Sequence, residues 1–212
     1  IEFGGIEPNP HYETLMKAVD LIKKENITFL LPVGGGSVLD GTKFIAAAAL
    51  YPNDPWEIIQ TYGAKVTSAL PLGCVLTLAA TGSEMNNVAV VTKAETKDKL
   101  FFASPYVMPQ FSVLEPELTF TLPQNQTANG VVDAFVHVLE QYVTYPVNAK
   151  VQDRFAEGLI LNLLEDGPKA LANPTDYDVR ANLMWTATMA LNGLIATGVP
   201  ADWEIGRASC RE

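Results

Sequence analysis

The segment that most restricts the fold is an apolar run, Thr28 to Val33, closed by Gly34-Gly35-Gly36-Ser37. An alanine-rich stretch from Val38 to about Leu50 follows and reads as helix. Strand, glycine turn and helix in that order open a crossover unit, so a parallel sheet is the expected core. The run is continuous rather than alternating, which suits a strand covered on both faces. A second strand, Leu72 to Leu78, also ends in a small polar turn, Ala80-Thr81-Gly82-Ser83. Asn87 to Thr92 and Phe111 to Leu114 are weaker strand candidates, and Ile1 to Gly5 reads as the end of another. Tyr12, Leu15, Val19 and Ile22 mark one face of an early helix.

The pattern changes near Pro123. Helical periodicity then covers roughly Ala128 to Val143, Ala149 to Leu164 and Val179 to Leu194, with breaks at Pro146, Gly167-Pro168 and Asn173-Pro174. The expected organisation is an α/β domain over 1–122 and an all-helical domain over 123–203. The net charge of -10 disfavours phosphate backbones and basic membrane anchoring. Two cysteines, Cys74 and Cys210, are too few for a disulfide-stapled secreted domain. The uncharged stretch Thr67–Ser83 has 17 residues and contains Pro71 and Gly73. It falls short of the roughly 20 apolar residues that span a bilayer. No basic n-region opens the chain, so a soluble, cytoplasmic protein is expected.

Gly34, Gly35, Gly36 and Ser37 suit a phosphate cradle, because glycines admit close backbone approach and a helix start offers free N–H groups. The plainer alternative is a tight turn, with Ser37 capping the helix and Asp40 in its first turn. Three successive glycines exceed what a turn needs. The dinucleotide fingerprint G-x-G-x-x-G fails for want of its third glycine. The P-loop fails because Thr42-Lys43 inverts the required order, and Lys43 is expected to be solvated. Thr77 and Thr81 place hydroxyls at a strand's carboxyl end, where open α/β sheets bind ligands, with Asn86 close behind. Capping explains Thr81, Ser83 and Glu84 equally well. Lys99 alone reads as a surface side chain in a charged loop.

Asp133 and His137 stand four residues apart, on one face of a helix. Glu140 and Gln141 extend that polar stripe. Such a pair can hold one metal ion through oxygen and nitrogen, or be an ordinary intrahelical pair. A metal site needs at least three ligands, and the one other histidine is His11.

Taken together, these segments resemble the iron-containing alcohol dehydrogenase family, and within it the butanol-dehydrogenase-like branch of NADPH-dependent aldehyde reductases. The likeness rests on Phe3-Gly4-Gly5-Ile6-Glu7-Pro8-Asn9-Pro10, Gly34-Gly35-Gly36-Ser37-Val38-Leu39-Asp40, Ala80-Thr81-Gly82-Ser83-Glu84, and Asn129-Gly130-Val131-Val132-Asp133-Ala134-Phe135-Val136-His137. It runs from Ile1 to about Trp203. The resemblance implies a dinucleotide-binding α/β domain followed by a helical metal-binding domain. It implies that Gly34, Gly35, Gly36 and Ser37 cradle the pyrophosphate with Asp40 nearby. Thr77, Thr81, Asn86 and Lys99 match positions lining the nicotinamide and ribose. Asp133 and His137 match the first two of four metal ligands, the others being histidines. The implied cofactors are NADP(H) rather than NAD(H) and a divalent metal, Fe or Zn. The implied partners are a small alcohol or aldehyde substrate and, for the full-length protein, a second copy in a homodimer, with no nucleic acid or membrane.

Some features depart from the family. Its opening strand and first glycine turn, which help select NAD or NADP, have no counterpart here. Gly206 stands where the third ligand, a histidine, is expected, and Glu204–Glu212 fits nothing in the family and reads as a non-native tail. Competing readings are a dehydroquinate-synthase-like lyase or polyol dehydrogenase on the same fold, and a nucleotide-binding module without catalysis.

Overall fold

The computed structural model describes residues 1–144 and 147–201. Gly206, Cys210 and the expected tail lie outside the described residues. The chain forms two compact units. One combines Ile1–Val75 with Ser83–Val113; the other combines Leu76–Gly82 with Leu114 onward.

The first unit is α/β. Helix α1 (Tyr12–Glu25) buries Leu15, Ala18, Val19 and Ile22 and ends at Asn26 in the left-handed conformation. Strand β1 (Val33–Gly34) leads through Gly35 into α2 (Gly36–Leu50), and α3 (Trp56–Gln60) follows. Strands β2 (Cys74–Leu76), β3 (Val88–Lys93), β4 (Asp98–Ala103) and β5 (Ser112–Leu114) complete it. A three-stranded sheet has the order β1-β2-β5, with Leu30 bridging Leu72 in parallel just outside it. β3 and β4 form an antiparallel pair. The core gathers α1 and α2 around Phe44, Ile58, Ile59, Leu72 and Phe102. Ala46, Ala47 and Ala48 are buried too, and their small side chains let α2 sit close to its neighbours.

The second unit is helical: α4 (Gln124–Tyr142), α5 (Lys150–Ala172) and α6 (Tyr177–Ala190). Ala134, Val138, Leu163, Leu183 and Ala187 form its core. Asp176 caps α6 by accepting from the Val179 amide at 3.2 Å. Buried Arg180 ties α6 to α4 by donating to Thr127 Oγ1 at 3.0 Å. No helix among the described residues is long and apolar enough to cross a membrane.

Several expectations are corrected. Ile1–Gly5 carries no strand, and the run Thr28–Val33 contributes only a bridge at Leu30 before the two-residue β1. Its outer face is open rather than covered: Leu31 is 52% exposed and Val33 58%. Lys99 stands on β4 opposite Thr92, because the charged stretch folds as a tight hairpin with Lys97 at φ 59. Gly167-Pro168 does not break α5, which runs through both. Gly167 packs on α4, where an added Cβ would come within 2.9 Å of Val131. Proline removes the bond to the Leu164 carbonyl, but Leu164 is exposed and water can replace it.

Candidate functional site

In the α/β unit the site begins at the glycine turn. Gly34 closes β1, and a Cβ there would lie 2.7 Å from the Val38 side chain, so only glycine fits. Gly35 is the N-cap of α2, and its carbonyl accepts from the amides of Val38 and Leu39 at 3.0 and 3.2 Å. The amides of Gly36 and Ser37 precede the helical ladder, where an anion can be met by both N–H groups and the helix dipole. Ser37 does not cap the helix. Its hydroxyl accepts from the Asn9 amide at 3.2 Å.

Asp40 lies one turn further on than expected, as the fifth residue of α2. Its Oδ1 accepts from Ser83 Oγ at 2.6 Å and its Oδ2 from the Val90 amide at 2.9 Å. Lys43, one turn along the same face, is fully buried rather than solvated. Its Nζ donates to Ser83 Oγ at 2.9 Å, Asn86 Oδ1 at 2.9 Å and the Val88 carbonyl at 2.8 Å. All three ammonium donors are therefore used. Burial pushes the Lys43 ammonium down to about 8, against the charges of Asp40 and Glu84. Burial also raises the Asp40 carboxyl, against the pull of Lys43, Ser83, the Val90 amide and Lys99. Lys99 itself is exposed.

In the helical unit, Thr77 and Thr81 lie on the Leu76–Gly82 segment, both half-buried. That segment presses on α4 one turn before Asp133: a Cβ on Gly130 would fall 2.4 Å from the Ala79 carbonyl oxygen. Gly82, at φ 62, packs against α6 with its Cβ position 3.2 Å from the Ala187 carbonyl oxygen. Asp133 Oδ1 and His137 Nε2 face each other at 3.7 Å. Burial lowers the His137 pKa below its ordinary value, against the opposing charge of Asp133, and so favours the neutral ring. Buried Gln141 donates to the His137 carbonyl at 2.6 Å and to the Ala190 carbonyl at 2.8 Å. These two hydrogen bonds fix the His137 turn of α4 to the end of α6.

The pair fits one divalent ion. Ligands about 2.1 Å from a tetrahedral ion stand about 3.4 Å apart, close to the 3.7 Å seen. A carboxylate oxygen and a neutral imidazole nitrogen are ligands for iron and zinc alike. Among the described residues no third His, Cys, Asp or Glu joins them.

Comparison with known proteins gives the family. The profile of the iron-containing alcohol dehydrogenases matches residues 1–116, more than half of the chain, and that of the family's C-terminal region matches residues 127–205. The chain belongs to the iron-containing alcohol dehydrogenase family. It is 67% identical over 205 residues to the NADPH-dependent aldehyde reductase YqhD of Escherichia coli, covering 96% of this chain and 53% of that protein. It is 48% identical over 202 residues to probable NADH-dependent butanol dehydrogenase 1 of Bacillus subtilis, covering 95% and 52%. The crystal structure of E. coli YqhD superposes with a TM-score of 0.95 at 66% identity, over 96% of this chain and 53% of that one. NADH-dependent butanol dehydrogenase A from Thermotoga maritima gives 0.90 at 41% identity, over 96% and 51%. The chain spans about half the length of the relatives it matches.

Within this family's frame, Gly34–Ser37, Asp40, Asn86 and Lys99 fall in the α/β unit, and Thr77, Thr81, Asp133 and His137 in the helical one. Sequence reasoning missed Lys43, Ser83 and Gln141. Lys43 carried a readable signal. Helix α2, GSVLDGTKFIAAAAL, has almost no polar stripe in which a solvated lysine could sit. Gln141 gave none, since a polar residue extending an exposed stripe looks the same in sequence.

Proposed function

We propose that the enzyme to which this chain belongs interconverts a small aldehyde and its alcohol, using NADP(H) and a divalent metal, iron or zinc. The observation that carries the reading is the Asp133–His137 pair, 3.7 Å apart on one turn of α4, in a chain of this family. The glycine turn supports a nicotinamide cofactor, and the 67% identity to an NADPH-dependent aldehyde reductase favours the phosphorylated form.

In this reading Gly36 and Ser37 offer backbone N–H groups to the cofactor's pyrophosphate, and Asn86 and Lys99 orient its ribose and nicotinamide. Asp133 and His137 supply one oxygen and one neutral nitrogen to the metal, further ligands coming from outside the described residues. The bound metal would act as a Lewis acid on the carbonyl oxygen while the reduced nicotinamide supplies hydride to the carbon. Gln141 holds the His137 turn in place, which keeps the two ligand atoms converged.

The test is NADPH oxidation by the complete enzyme with a panel of short aldehydes, before and after chelation. The expected result is turnover that chelation abolishes, that Fe²⁺ or Zn²⁺ restores, and that His137→Ala lowers by at least about 100-fold. Full activity in His137→Ala would remove the metal from the mechanism. A specific observation favours a second reading for the 212 residues by themselves: no third ligand is found among the described residues. They are expected to bind nucleotide and hold metal well below one equivalent. Stoichiometric metal in the purified chain would overturn that.

A further inference from the structure

The helical unit contains a cavity that the chemistry above does not use. It measures about 20 Å³, room for one water or one monatomic ion. Every residue that lines it belongs to that unit. Arg180, Thr127, Gln126 and Thr119 are its polar walls, and apolar residues close the rest.

Arg180 is 5% exposed. A guanidinium carries five N–H donors. Nε of Arg180 donates to the Pro174 carbonyl at 2.9 Å, and one Nη1 hydrogen goes to Thr127 Oγ1 at 3.0 Å. The other three N–H groups meet no acceptor among the described residues. No carboxylate lines the cavity. Burial alone pulls the Arg180 pKa below its ordinary value, with no neighbouring charge acting against it. Arg154, by contrast, pairs with Glu157 at the surface. A buried cation without a counter-charge is costly, and an anion beside it offsets that cost.

The neighbouring donors point the same way. Thr127 Oγ1 accepts from Arg180, and its own hydrogen goes to no acceptor among the described residues. Thr119 is different, because its hydroxyl is spent on the Pro116 carbonyl at 2.7 Å. Gln126 is exposed and adds amide N–H groups at the cavity wall. Gln126 and Thr127 stand in the first turn of α4, and Arg180 stands in the first turn of α6. Both helix dipoles therefore present their positive ends here. Phosphate and sulfate exceed the volume, and water brings no charge.

We propose that Arg180, Thr127 and Gln126 form a site for one halide ion, chloride in ordinary solution, which joins the start of α4 to the start of α6.

The experiment compares the melting temperature of the 212-residue chain in sodium chloride and in sodium isethionate at equal ionic strength. The isethionate anion is too large for the cavity. The chain is expected to melt about 3 °C or more higher in chloride. Arg180→Met is expected to abolish the difference. Thr127→Val keeps the shape, removes the hydroxyl, and is expected to halve the difference or better. The unmutated chain gives an independent readout if Arg180→Met does not fold. Crystals grown in bromide are expected to show one anomalous peak within hydrogen-bond reach of Arg180 and Thr127. Equal melting temperatures in the two salts, or a difference that survives Arg180→Met and Thr127→Val, would overturn the proposal. So would density at the cavity without anomalous signal, which is water. A bromide peak with no chloride dependence in solution would mean an adventitious ion only, and overturns it as well.

Discussion

The two units hold their candidate residues by different means. In the α/β unit, Asp40 and Asn86 are locked by a closed network in which every donor of Lys43 is used and both Asp40 oxygens accept. In the helical unit, Asp133 and His137 owe their position to backbone: one helix, the Gly130 contact below them and the Gln141 tie above. A network of charges fixes orientation but makes each member indispensable to the others. Under the proposed function, the network of the first unit suits a preformed cofactor surface and the packing of the second suits the presentation of metal ligands.

The sharpest way to break the comparison is Asp40→Ala. It removes the carboxylate beside a buried ammonium and is expected to cost about 3–5 kcal/mol. Hydrogen exchange should accelerate over Ile1–Val75 and Ser83–Val113 and hardly change in the helical unit. The paired replacement Asp40→Asn with Lys43→Met is expected to be milder than Asp40→Ala, because no charge is left alone. If it is equally damaging, the network is not a charge pair.

The counterpart in the helical unit is Gly130→Ala. Its new methyl group would meet the Ala79 carbonyl oxygen at 2.4 Å, and backbone has to move. A loss of about 2 kcal/mol is expected, confined to exchange over α4, α6 and Leu76–Gly82. Loss spread evenly over both units would deny that they are separate.

The smallest effect is in pH. Between about 8 and 10.5 the unfolded chain keeps a lysine proton that folded Lys43 has released, so stability of the α/β unit rises with pH there. Asp40 has the opposite sign in acid. Its folded pKa is raised above 3.8, so stability falls as pH climbs through the window just above that value. Both slopes should vanish in the Asp40→Asn, Lys43→Met chain when unfolding is followed by denaturant titration.

Much of this was legible in the sequence. Strand, glycine turn and helix announced the parallel sheet, and Asp133 and His137 could be placed on one helix face by spacing alone. What could not be read was tertiary. The apolar sequence of α2 hints that Lys43 is buried, but not that Ser83, Asn86 and the Val88 carbonyl take its ammonium. Lys99 looks like loop until β3 supplies the partner strand. Pro168 looks like a stop until Gly167 is seen packed against Val131. In each case a neighbour distant in sequence overrides the local preference.

The chain crosses between the units three times, after Val75, Gly82 and Val113. During synthesis the α/β unit has all its residues once Val113 has emerged. The helical unit does not: Leu76–Gly82 leaves the ribosome early and waits for α4 and α6. Gly82 meets Ala187 about a hundred residues later. The first unit can therefore settle while the second is still being made, and the loop carrying Thr77 and Thr81 is the last part of the early chain to find its place.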